Sequence, residues 1–106
     1  MSAKEIISNE EFEMMIKDGV TLVDFNAPWC APCRSQGPII DSLAGRMKDR
    51  VAVAAINIEN YQDLAVKLGI QSIPTLIIYK NSKELQRFVG LQSESTLADA
   101  LDKALG

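Results

Sequence analysis

The 106-residue sequence contains two cysteines, Cys30 and Cys33, three positions apart within N-A-P-W-C-A-P-C-R at residues 26–34. A pair spaced this way can be a structural staple, half of a metal site, or a dithiol that reacts. Zinc needs four ligands, and with no histidine and no third cysteine two thiolates leave it half bound unless a second chain supplies the rest. A disulfide here would close a loop of a few residues and remove little unfolded-state entropy, so it makes a weak staple. The reactive reading has a physical mechanism. A helix starting near Cys30 aims unpaired backbone N–H groups and its positive dipole end at that sulfur, favouring the thiolate and lowering the pKa below the free value of about 8.5. Cys33, one turn on, can attack a mixed disulfide formed at Cys30 and release the product. Cys30 is therefore the expected nucleophile and Cys33 the resolving thiol, with Pro32 tolerated in the first helical turn. No metal and no cofactor beyond this dithiol is expected.

The flanking sequence supplies elements to hold the pair. Ser8-Asn9-Glu10-Glu11 fits the S-x-x-E capping box, and Phe12, Met15 and Ile16 follow at helical spacing before Gly19 stops the helix. Val20 to Ala27, V-T-L-V-D-F-N-A, reads as a short buried strand ended by Pro28. Ile39, Ile40, Leu43, Ala44 and Met47 mark one face of the helix after the cysteines, with a kink expected at Pro38. Val51 to Ile58 reads as a second buried strand, and Tyr61 to Leu68 as a helix closed by Gly69. T-L-I-I-Y-K and L-Q-R-F-V-G form a hairpin across N-S-K-E, and Ser93 caps a final helix with Leu97, Ala100, Leu101, Ala104 and Leu105 on one face. With a short strand near Lys4 to Ile7, the string is β-α-β-α-β-α-β-β-α, an α/β chain with a mixed sheet and helices on both faces.

The chain length fits one domain, residues 1–106. Hydrophobic residues make up 47% and charged residues 24%, the balance of a chain that folds. A net charge of −3 with interspersed signs offers no basic stripe, so neither nucleic acid nor an anionic membrane is an expected partner. No basic region followed by an apolar run opens the sequence, and no apolar stretch approaches 20 residues, so a cytoplasmic protein is expected; a monomer is expected as well.

W-C-A-P-C-R resembles the thioredoxin motif W-C-G-P-C-K, and V-D-F before it, Gly37-Pro38 after it, N-I-E at 57–59, G-I-Q-S-I-P-T-L-I-I-Y-K-N-S-K-E and F-V-G follow thioredoxin order and spacing. The resemblance covers nearly the whole chain. It implies the thioredoxin fold, a central mixed five-stranded sheet flanked by about four helices, and reduction of disulfides in client proteins, with a thioredoxin reductase restoring the dithiol. Asp24 interrupts an apolar strand, where a buried carboxylate must be paired or protonated. It either reaches solvent at the strand end or, as the resemblance implies, titrates high and exchanges a proton with Cys33. Pro74 matches the family's cis-proline. By the same resemblance Trp29, Ala31, Pro32, Ile73, Pro74, Val89, Gly90 and Leu91 form an apolar client-binding patch around the sulfur, although core packing would also account for Ile73 and Val89, and backbone conformation for Gly90.

Several positions depart from the family pattern. Asn26 replaces a second tryptophan, Ala31 a glycine, Ser82 a hairpin glycine, and Ala55 a lysine near the buried aspartate, whose loss lets Asp24 titrate higher. Two other readings compete: an oxidant or isomerase of higher potential, and a non-catalytic binding module using the apolar patch.

Overall fold

The computed structural model describes residues 3–6 and 8–106. Strand β1 (Lys4–Glu5) leads to helix α1 (Asn9–Lys17), strand β2 (Val20–Asn26), helix α2 (Ala31–Arg46), strand β3 (Val51–Asn57), a 3-10 turn (Ile58–Asn60), helix α3 (Gln62–Leu68), strands β4 (Thr75–Lys80) and β5 (Lys83–Val89), and helix α4 (Glu94–Leu105). Ile7, expected to end β1, lies outside the described residues. The capping residues act as their types predict. Ser8 Oγ accepts the Glu11 N–H at 3.0 Å and Ser93 Oγ accepts the Thr96 N–H at 3.2 Å, satisfying donors that have no partner inside their helices.

The five strands lie in the order β1-β3-β2-β4-β5. β1 and β2 run parallel to β3, while β4 is antiparallel to both β2 and β5. β2 is thus central and covered on both faces, which is why it reads as a continuous apolar run apart from Thr21, Asp24 and the terminal Asn26. Strand alternation sends Val20 and Leu22 toward Ile40 and Leu43 of α2 and Leu97 and Leu101 of α4, and sends Val23 and Phe25 toward Phe12 and Ile16 of α1. Each such side chain, fully buried, stabilises the fold by about 1.5–3 kcal/mol. Asp24 has the parity of Val20 and Leu22, so it points to the α2 side.

Pro38 sits inside α2, which runs on to Arg46. The hairpin differs from the expected four-residue connection. Lys83 and Glu84 already pair in β5, leaving a two-residue turn, Asn81 and Ser82, with φ of 52° and 75°. Two successive positive φ values give the turn whose twist matches paired strands, so pairing continues to Lys80–Lys83. The turn is also held from outside: Asn81 Oδ1 accepts the Gly19 N–H at 2.8 Å, and the Ser82 N–H donates to the Ile16 carbonyl at 2.7 Å. Pairing slips between Ile78 and Tyr79, where a bulge passes over Leu85.

Candidate active site

β2 ends at Asn26, and the buried Ala27 turns the chain by accepting the Cys30 N–H at 3.2 Å. Cys30 then caps α2: its Sγ accepts the Cys33 N–H at 3.2 Å. A sulfur in the capping position takes a donor that the helix itself cannot satisfy, and negative charge there is favoured by the helix dipole. Cys30 and Cys33 are joined in a disulfide with Cα atoms 5.2 Å apart. Their exposures are 5% and 6%, so the two sulfurs are equally buried, and a backbone N–H is directed at that of Cys30. Ala27, Ile58 and Ile73 pack around the pair.

Behind Cys33 a cleft of about 240 Å³ is lined by Asp24, Asn26, Cys33, Gly37, Asp41 and Ala55 among others. Asp24 is 2% exposed, and no hydrogen-bond partner reaches its Oδ1 among the described residues. Burial pushes its carboxyl up to about 7; the Asn26 amide pulls it down, and the negative charge of Asp41 adds to the rise. The strand-end reading, in which this side chain reaches bulk solvent, does not hold. A carboxyl with this titration, opening on the same cleft as a thiol, can take or return a proton near neutral pH.

Trp29, Val89 and Leu91 are exposed by 65%, 60% and 50%, so Val89 is surface and not core. Ala31 and Pro32 are exposed beside them, Ile73 is half-buried and Pro74 is buried beneath. The Ile73–Pro74 bond is cis, and the Ile73 carbonyl lies 3.7 Å from Cys30 Sγ. Gly90, at φ 93°, adopts a conformation that L side chains rarely take, and its N–H donates to the Pro74 carbonyl at 2.8 Å. Among the residues expected around the sulfur, the structure thus links Ile73 to Cys30 and Gly90 to Pro74, and pairs Val89 with Thr75, the residue after Pro74.

Three contributors were not singled out from sequence. Glu59 Oε2 accepts the Trp29 indole N–H at 2.8 Å, fixing the ring's edge. Asp41 Oδ1 accepts the Ala3 N–H at 2.9 Å at the mouth of the cleft. Gln36 is wholly buried and bonded to Gln92. A polar residue on the apolar face of α2, three positions from Cys33 and four from Ile40, was a readable signal for the last. Among the described residues no group of three or more acidic or cysteine side chains is placed to hold a metal ion, and no helix is long and apolar enough to cross a membrane.

The family model Thioredoxin matches residues 3–103. Thioredoxin 1 of Synechococcus elongatus is 37% identical over 107 residues, covering 99% of this chain and 100% of that protein. The thioredoxin of Chlamydia pneumoniae is 40% identical over 99 residues, covering 93% and 96%. Among solved structures, a point-mutant thioredoxin from Halobacterium salinarum NRC-1 superposes with a TM-score of 0.92 at 29% identity, covering 99% of this chain and 92% of that one.

Proposed function

The chain belongs to the thioredoxin family and is a thiol–disulfide oxidoreductase that reduces protein disulfides, and on that premise we propose that Cys30 is the attacking sulfur, Cys33 the resolver and Asp24 the proton acceptor. In the reduced protein the Cys30 thiolate attacks one sulfur of a client disulfide. That bond breaks, the other client sulfur leaves as a thiolate and is protonated, and a mixed disulfide joins client and Cys30. Cys33 gives its proton to the Asp24 carboxylate through the shared cleft and attacks Cys30 Sγ. The second client thiolate departs, the client has gained two electrons, and the protein is left as the Cys30–Cys33 disulfide. A thioredoxin reductase returns the two electrons, and Asp24 releases its proton to water.

The observation that carries this order is the Cys33 N–H directed at Cys30 Sγ at the start of α2, which favours a thiolate at Cys30 over Cys33. Trp29, Ala31, Pro32, Ile73, Pro74, Val89, Gly90 and Leu91 serve as the client surface, with backbone of the cis-Pro74 segment available to an extended client strand. The protein works as a monomeric single domain in the cytoplasm.

Insulin reduction by dithiothreitol tests the assignment. The wild type accelerates precipitation of the insulin chains, Cys30→Ser does not, and Cys33→Ser accumulates a mixed disulfide with insulin. No acceleration by the wild type would remove the catalytic reading and leave a binding module; trapping by Cys30→Ser in place of Cys33→Ser would reverse the order. Equilibration with a glutathione buffer separates a reductant from an oxidant or isomerase by the potential of the pair.

A further inference from the structure

Gln36 occupies the buried face of α2 one turn beyond Cys33, where an apolar side chain is the ordinary solution. Both ends of its amide are used on a single residue across the molecule. Nε2 donates to the Gln92 carbonyl at 3.0 Å, and Oε1 accepts the Gln92 N–H at 2.8 Å. One donor and one acceptor meet one acceptor and one donor, a match that neither a carboxylate nor a hydrocarbon reproduces. Gln92 in turn gathers the segment before it: its Nε2 donates to the Gly90 carbonyl at 3.2 Å and to the Val89 carbonyl at 3.5 Å. Gly90 closes on Pro74 through its N–H, and the adjoining Ile73 carbonyl faces Cys30 Sγ. A circuit therefore runs from Cys33 along α2 to Gln36, across to Gln92 and Gly90, and back through Pro74 and Ile73 to Cys30.

We propose that Gln36 is a positioning residue: its paired bonds to Gln92 hold the Val89–Gln92 segment at a fixed height beside the disulfide, so that polypeptide disulfides dock in preference to small ones. The segment has no other anchor to α2 of this kind among the described residues. Val89, Gly90 and Leu91 all belong to it, so its placement decides where the client chain lies relative to Cys30. A small disulfide needs to reach only the sulfur and is indifferent to that placement. Gln36 touches neither client nor sulfur, and acts through Gln92. The inference rests on the protein-disulfide reductase reading above.

The test uses the fully reduced full chain in single-turnover reactions with insulin and, separately, with Ellman's reagent. Gln36→Met keeps the side-chain length and removes both bonds. Loss of such bonds corresponds to about a tenfold rise in the half-saturating insulin concentration, at an unchanged limiting rate and an unchanged rate with Ellman's reagent. Equal loss on both substrates, or none on insulin, overturns the proposal while leaving the reductase reading intact; a wild type inactive on both removes the reductase reading itself. A readout independent of the variant is hydrogen exchange in the wild type. The Gln92 amide is expected to exchange at least about a hundredfold more slowly than an open amide, and free exchange there would overturn the anchoring role even if Gln36→Met failed to fold.

Discussion

Asp24 and Ala55 are register partners on the adjacent parallel strands β2 and β3, and both line the cleft behind Cys33, so a methyl group stands beside the buried carboxyl. A lysine at that position would place a cation within reach of Asp24, since neighbouring strands lie about 4.8 Å apart and register partners share a face. Ala55→Lys is expected to lower the Asp24 pKa from about 7 by about one to three units. Carboxyl-carbon NMR across pH reads this directly, and an unmoved titration would show that Ala55 does not set the environment of Asp24.

The raised pKa of Asp24 fixes the sign of its contribution to stability. The folded state holds this proton more tightly than the unfolded chain, so the favourable protonated state is fully present below about pH 3.8 and is lost as pH rises toward 7. Above that, the ionised buried carboxyl costs about 4 kcal/mol at roughly 1.4 kcal/mol per pKa unit. Asp24→Asn is expected to raise the urea midpoint markedly at pH 8 and little at pH 4, while slowing turnover with insulin. A stability gain independent of pH would contradict this origin.

Ser82 holds φ at 75°, a conformation glycine adopts without steric cost. Ser82→Gly should stabilise the protein by about 0.5–1 kcal/mol, the relief of strain exceeding the added unfolded-state entropy. Ser82→Val should destabilise it, because a β-branched side chain is strained there. Thermal unfolding distinguishes the two, and disulfide reduction should be unchanged in both, since the hairpin is at the opposite end of β4 from Thr75.

The hydroxyl of Tyr79 is buried with no hydrogen-bond partner among the described residues, and burial, aided by Glu84, pushes its pKa to about 12. The ring itself packs edge-on against Phe12 at 5.7 Å. Tyr79→Phe keeps that packing and removes an unsatisfied group, so a gain of about 1 kcal/mol is expected in chemical denaturation. A loss of that size would mean the hydroxyl has a partner worth keeping.

The sequence was informative where local chemistry decides structure. Ser8 and Ser93 cap helices because their side chains replace missing acceptors, and Gly69 and Gly90 take positive φ because few other residues can. Cys30 and Cys33 declared themselves by spacing and by the lack of other ligands. What pattern alone left open was decided by long-range packing. Whether Asp24 met solvent depended on α2 covering the same face as Leu22, and the turn at Asn81 depended on its bonds to the α1–β2 connection. Gln36 stands out in sequence as a polar residue on the apolar face of α2, but its partner does not, being 56 residues away and consisting of backbone, which no side-chain pattern marks.

Trp29 is the single tryptophan of the chain, directly precedes Cys30 and is held at its edge by Glu59. All indole emission of the molecule therefore originates one residue from the reacting sulfur. With excitation at wavelengths that Tyr61 and Tyr79 do not absorb, emission of the unlabelled protein thus reports from beside the disulfide alone, which makes it an optical gauge of thiol state that needs no label.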